Sequence, residues 1–289
     1  MRRADVVWAV IGWYADHARD LPWRAADATP WGVVVSEFML QQTPVARVLE
    51  PWRRWLERWP TPAALAAAEP GEAVRAWGRL GYPRRALRLH AAATAMVRDH
   101  GGRVPSELAE LRALPGVGEY TAAAIASFAF GQRHVVLDTN VRRVLARLEI
   151  GRAHPPASLT AAERERAAAW LPDDPPSAAR WAVAAMELGA QLCTATSPDC
   201  SACPVAGHCR WLAAGRPDTG PARRPQGYAG TDRQARGALL SVLREGEEPV
   251  ARDALLAAWP VDPEQAGRAL DSLVADGLIR IAAAGTYQL

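Results

Sequence analysis

The chain has 289 residues, 49% of them hydrophobic, enough for one large folded body and one small one with real cores. Its formal net charge is only +3, which says little about nucleic acid, but all 34 basic residues are arginine, and the lack of lysine excludes a lysine Schiff base. No apolar run is long enough to span a bilayer, and Trp8, Trp13, Tyr14, Asp16 and His17 spoil any signal-peptide reading of the start Met1-Arg2-Arg3, so a reducing, cytoplasmic setting is expected.

In chain order, residues 4 to about 212 read as mostly helical, because Ala, Leu, Arg, Glu and Trp dominate and no alternating strand pattern persists. Thr29-Pro30, Thr61-Pro62, Pro105-Ser106 and Ser158 through Thr160 mark helix starts. Residues 213–231, with Gly215, Pro217, Gly220, Pro221 and Pro225, read as a linker. Residues 232–289 follow as a compact module. Helices are expected near Thr231 to Arg244, Arg252 to Ala258 and Pro263 to Asp276. After Gly277, Leu278 to Ile281 and Tyr287 to Leu289 suggest a β-hairpin. That order is winged-helix-like, an architecture that serves DNA binding and protein packing alike.

Four local patterns carry chemistry. Glu37 sits in the apolar run Val33 to Leu40, where desolvation would raise its pKa and let it act as a general acid; an exposed glutamate is the plain alternative. Leu114-Pro115-Gly116-Val117-Gly118-Glu119-Tyr120-Thr121 is a glycine-bearing turn before an alanine-rich helix. Such a turn lets backbone N–H groups meet a phosphate, or simply makes a tight corner. Asp138 precedes a helix and is ordinarily an N-cap, yet Thr139 and Asn140 could share that duty and leave a carboxylate free. Finally, Cys193, Cys200, Cys203 and Cys209 form C-x6-C-x2-C-x5-C within seventeen residues. Four thiolates suit tetrahedral zinc or a [4Fe–4S] cluster, and the presence of only one short knuckle, Cys200 to Cys203, favours the cluster.

An acid, a hairpin, a second carboxylate and a four-cysteine array in this order resemble the helix-hairpin-helix, Gly/Pro-Asp DNA glycosylases, and within them the MutY-type adenine branch. The likeness covers roughly residues 5–212. It rests on Leu21-Pro22-Trp23-Arg24, Ser36 to Thr43, Trp77 to Tyr82, the hairpin, the Asp138 segment and the cysteine spacing. Tyr120 stands where the endonuclease III branch carries its catalytic lysine, so strong β-lyase activity is not expected.

The resemblance implies a mainly α, two-subdomain glycosylase over residues 1–212. A six-helix subdomain would occupy about 25–132, and a [4Fe–4S] subdomain about 1–24 and 133–212. It implies excision of adenine opposite 8-oxoguanine or guanine from duplex DNA by a monomeric, nucleoid-associated enzyme that touches no membrane. Glu37 would protonate the base, Asp138 would stabilise or trap the sugar cation, Asn140 would orient Asp138, and Tyr120 would bond near the acid or the sugar. Leu21, Trp23 and Arg24 would line the base pocket. Gln42 and Tyr82 would wedge into the stack, with Thr43, Gly116, Val117, Gly118 and Thr121 also at the DNA.

Two departures stand out. The winged-helix-like module takes the place of the usual nucleotide-hydrolase-like domain, and Val183 occupies a position where relatives often carry Glu or Gln near the adenine edge. The stretch containing Arg75, Arg79, Arg84, Arg85 and Arg88 reads as a phosphate-facing stripe or a solvated face. Two other readings stay open: a thymine or uracil mismatch glycosylase, and a non-catalytic DNA-binding protein.

Overall fold

The computed structural model describes residues 2–217 and 227–289. Gly220, Pro221 and Pro225 of the expected linker lie outside the described residues. Helices α1 (Arg3–His17), α2 (Pro30–Leu40), α3 (Val45–Arg58), α4 (Pro62–Ala66), α5 (Pro70–Trp77) and α6 (Arg84–His100) come first. The hairpin pair α7 (Leu108–Ala113) and α8 (Glu119–Phe130) follows, then α9 (Thr139–Leu145), α10 (Ala161–Ala168), α11 (Pro175–Gln191) and α12 (Arg210–Ala213). The module comprises α13 (Asp232–Glu245), α14 (Arg252–Leu256) and α15 (Pro263–Ala275), closed by an antiparallel pair of strands, β1 (Arg280–Ile281) and β2 (Tyr287–Gln288). The chain is mainly helical, as expected, with three helices and a hairpin in winged-helix order at its end.

Side-chain caps place many of these boundaries. Thr29 Oγ1 accepts from Gly32 N at 3.1 Å, Thr61 from Ala64 N, and Thr231 from Gln234 N. Thr160 and Glu163 form a reciprocal capping box at α10. Each cap satisfies a first-turn N–H that the helix itself leaves unpaired.

Backbone contacts divide the chain into two units. The first consists of Met1–Glu37, Ser106–Ala113 and Val117–Ala222. Its core brings Val6, Val7, Val10 and Ile11 of α1 against Val141 and Val144 of α9 and Trp181, Ala185 and Leu188 of α11. A second cluster sets Ala123 and Ala124 of α8 against Ala182 of α11. At Gly189 an added Cβ would lie 2.7 Å from Asn140 Cβ and 2.9 Å from Asn140 O, so α11 passes α9 at a distance that only glycine permits.

The second unit consists of Phe38–Pro105, Leu114–Gly116 and Arg223–Leu289. Here α6 packs on α4 and α5, and Trp55 meets Trp59 and Trp77 edge to face at 4.7 and 5.6 Å between ring centroids. The module has its own core of Leu239, Leu240, Leu243, Leu270, Leu273 and Leu278. It docks on α5: Arg75 Nη1 donates to the carbonyls of Leu243, Arg244 and Gly246 at 2.5–2.9 Å, and Arg244 Nε to Val74 O at 3.2 Å.

The arginine stripe read from the sequence therefore loses Arg75, Arg84 and Arg85, while Arg79 and Arg88 stay exposed. Arg75 caps the carbonyl end of α13, Arg84 pairs with Asp276, and Arg85 is buried. A helix C-terminus rewards cations in this way. Sequence spacing alone cannot show that another segment will supply the acceptors.

Candidate active site

Glu37 is buried at 7% exposure near the end of α2. Its neighbour Ser36 turns its hydroxyl back onto Val33 O, so the polar serine makes no demand on the surroundings. Burial pushes the Glu37 carboxyl up, the charge of Asp138 adds to the rise, and a hydrogen bond from Tyr120 with the charge of Arg24 only partly offsets them, leaving a pKa of about 7. Tyr120, at the start of α8, donates that bond and is itself pushed well above the usual phenol range, chiefly by burial. The apolar run thus holds an acid that keeps its proton near neutrality.

Asp138 is both a cap and a member of this group. Its Oδ1 accepts from Val141 N at 2.7 Å and so caps α9, while Oδ2 accepts from Asn140 Nδ2 at 2.7 Å. Burial raises its pKa, opposed by the bonds from Val141 and Asn140 and by the charge of Arg143. Asn140 has no freedom to flip, because its Oδ1 is taken by Arg143 Nη2 at 2.8 Å. Arg143 in turn donates to Gly189 O and Cys193 O, both at 2.7 Å. A continuous chain of bonds therefore runs from the Cys193 backbone to the Asp138 carboxylate.

Two site residues escaped the sequence reading: Glu187 and Arg19. Glu187 is fully buried and accepts from Arg19 Nε at 2.6 Å, Arg19 Nη2 at 2.8 Å, Arg24 Nη1 at 2.9 Å and Gln191 Nε2 at 2.7 Å. Burial alone would raise its pKa, but the hydrogen bonds and charges of the two arginines pull it down to about 2. This carboxylate stands one turn after Val183, so the acid that meets Arg24 is supplied by the next turn of α11. Arg24 is thereby held in place, with the Tyr14 ring 5.8 Å from its Cζ, beside the buried Leu21 and Trp23. The partners lie 163 and 168 residues apart, beyond the reach of any local motif.

Structure brings together Glu37, Tyr120, Asp138, Asn140 and Arg24 in the first unit. At the hairpin, Gly118 precedes α8 without a side-chain cap, while Val117 and Thr121 are buried and leave only their backbone to act outward. In the second unit, Gly116 has φ +80°, and an added Cβ would lie 2.7 Å from Arg88 Cβ, so the turn needs glycine. Gln42 and Tyr82 both adopt left-handed backbone, at φ 56° and 46°, and Tyr82 is 47% exposed. Thr43 points inward instead: its hydroxyl donates to Leu80 O at 3.2 Å.

The four cysteines are unpaired thiols that line one cavity with Val144, Arg147, Leu188 and Trp211. Burial and the three other cysteines push Cys203 up to about 11. Four mutually repelling sulfurs in a desolvated pocket fit a cationic metal centre, whose charge would let them ionise. Arg147 donates to Cys193 Sγ at 3.3 Å, a bond suited to a thiolate ligand. Arg210, next to Cys209, donates to Glu149 O at 2.8 Å.

Comparison with known proteins agrees with this geometry. Residues 35–169 match the HhH-GPD superfamily of base excision DNA repair proteins, and residues 193–209 match the iron-sulfur binding domain of endonuclease III. The chain is 52% identical over 281 residues to the adenine DNA glycosylase of Mycolicibacterium smegmatis, covering 97% of this chain and 94% of that protein. It is 43% identical over 210 residues to the human adenine DNA glycosylase, covering 70% of this chain and 38% of that one. Among solved structures, a thermostable thymine-DNA glycosylase is similar at a TM-score of 0.65 and 25% identity, over 73% of this chain and 97% of that chain.

Proposed function

The chain belongs to the adenine DNA glycosylases of the HhH-GPD superfamily, and on that premise we propose that it excises adenine mispaired with 8-oxoguanine or guanine in duplex DNA. It acts as a monomer, in the cytoplasm and at the nucleoid; no helix among the described residues is long and apolar enough to cross a membrane. The observation that carries the reading is the pairing of a protonated Glu37 with Asp138 in one buried group.

An adenine within the stack is out of reach, so it is turned out of the duplex first. Glu37 gives its proton to N7 of the extruded base, and the glycosidic bond breaks with its electron pair leaving on the now neutral adenine. The positive charge that develops at C1′ faces the Asp138 carboxylate, kept in orientation by Asn140. Water adds its oxygen to C1′ and returns a proton to Glu37. This division of labour between acid and carboxylate parallels that of sugar hydrolases. The uncapped N–H groups of α8 after Gly118 suit a DNA phosphate.

Cys193, Cys200, Cys203 and Cys209 hold the [4Fe–4S] cluster. When bound, the cluster cross-links the cysteine loop to the end of α11. Without a lysine the enzyme is monofunctional or a weak lyase, so alkali is needed to break strands efficiently at the abasic site.

Incubation with 8-oxoG·A, G·A, G·T and G·U duplexes, followed by alkali, tests the proposal. Cleavage is expected at adenine in the first two. Cleavage of G·T or G·U instead would favour the thymine or uracil reading, and no cleavage at all would favour a pure binder. The single-turnover rate should also depend on pH. Glu37 must be protonated, so activity is present below its pKa of about 7 and is lost as pH rises through it. On the acid side the rate falls as Asp138, whose proton affinity burial raises, takes a proton. A rate that holds level from neutral into alkaline solution would remove Glu37 from this role.

A further inference from the structure

We propose that Arg85 is a positioning residue for base extrusion, one buried guanidinium that sets both segments which enter the DNA stack. The proposal deepens the reading above and rests on Gln42 and Tyr82 being the wedges that the resemblance to the glycosylase family implies. Arg85 touches neither DNA nor adenine in this account.

Three observations converge on it, all within the second unit. Arg85 is 4% exposed, and its Nη1 donates to Phe38 O and Met39 O at 2.9 Å and to Gln41 O at 2.5 Å. Its Nη2 donates to Thr43 Oγ1 at 2.9 Å, Gly81 O at 3.0 Å and Leu80 O at 3.3 Å. The first set caps the carbonyl end of α2, and the second ties Thr43, after α2, to the turn before α6.

Among these acceptors, Gln41 O and Gly81 O belong to the peptide groups immediately preceding Gln42 and Tyr82. Those two residues are half of the four non-glycine residues with positive φ among the described residues. A left-handed conformation at glutamine or tyrosine is sparsely populated and persists only where its surroundings enforce it. Holding the peptide plane on the N-terminal side of each residue is such enforcement. One planar fork can hold both planes at once, and a lysine ammonium, with three donors on a flexible stem, cannot.

The third observation concerns the Tyr82 ring, which lies 5.6 Å from Arg85 Cζ and 5.9 Å from Arg233 Cζ of the docked module, with Trp77 on Arg85 at 5.1 Å. The exposed tyrosine is thus fixed through its backbone and its ring. Desolvation lowers the Arg85 pKa only to about 10, so the cation persists at working pH.

The test is excision by Arg85→Lys in two 8-oxoG·A duplexes, one with G·C and one with A·T pairs flanking the mispair. A misplaced wedge matters most where the stack resists opening, whereas a general structural loss scales both rates alike. The expected result is a loss of about 10- to 100-fold with G·C flanks and a several-fold smaller loss with A·T flanks. Visible absorbance of the cluster and melting temperature confirm that the variant is folded. Should it fail to fold, Thr43→Val, which deletes one acceptor of the same guanidinium, is expected to show the same flank dependence at smaller size.

Equal losses in both duplexes, or none, overturn the proposal. Gln42→Ala and Tyr82→Ala run alongside. If they too lack flank dependence, the wedge assignment falls and the role of Arg85 with it; if they show it and Arg85→Lys does not, only the role of Arg85 falls.

Discussion

Glu37→Gln and Asp138→Asn each bring adenine excision down by at least about a thousandfold while affinity for the mispaired duplex survives. Both changes keep side-chain size and hydrogen-bonding shape, so neither creates a cavity. Glutamine has no proton to give at neutral pH, and the base would have to leave as an anion. Asparagine at 138 can still accept from Val141 N through its oxygen and cap α9. It loses the negative charge that faces C1′, and its amide would meet the donor of Asn140.

The two variants part company in stability. Glu37 has its pKa raised in the folded state, so the folded protein pays for ionising it as pH climbs from the usual carboxylate value toward about 7. Above that pH, Glu37→Gln removes a burden on the order of 3 kcal/mol, and the variant should melt no lower than the parent. Single-turnover excision, duplex binding and thermal melts at alkaline pH check these expectations. Near-parental excision by either variant would dismiss the assignment.

Replacing one cluster ligand, as in Cys203→Ala, yields a colourless protein that has lost the cluster and melts lower than the parent. The remaining thiols sit in a desolvated pocket where burial and mutual repulsion oppose ionisation, leaving the bonds from Arg143 and Arg147 to hold the start of the loop. The damage should reach the chemistry. Cys193 O anchors Arg143, which fixes Asn140, which orients Asp138. Excision by the variant should therefore fall even at temperatures where it is folded. Iron and zinc analysis of the parent protein, together with its broad visible absorbance, is the companion measurement; a colourless, zinc-loaded parent would refute the cluster.

Much of this was legible in the sequence because it is local. Helix starts at Thr61, Thr160 and Thr231 depend on a side chain reaching three residues forward. The hairpin depends on glycines within one turn, and the metal site on sulfurs within seventeen residues. Asp138 is instructive: a cap and a free carboxylate look like rival readings in the sequence, yet one oxygen caps α9 while the other accepts from Asn140.

The long-range pairings were not legible. Nothing near Glu187 in the sequence announces Arg19 and Arg24, because a buried ion pair is specified only when two distant segments are desolvated together. The arginines of residues 75–88 were read as one surface because they are close in sequence. Burial separated Arg85 from the others, and the docked module claimed Arg75 and Arg84.

The amino-acid sequence by itself determined which chemistry was available: an acid in an apolar run, a carboxylate at a helix start, four clustered thiols and no lysine. Only the tertiary structure decided what each group does, since proton affinity and backbone strain depend on what surrounds a side chain. Desolvation beside Asp138 makes Glu37 an acid near neutrality, two arginines make Glu187 a permanent anion, and one buried guanidinium holds Gln42 and Tyr82 in conformations they would not choose alone.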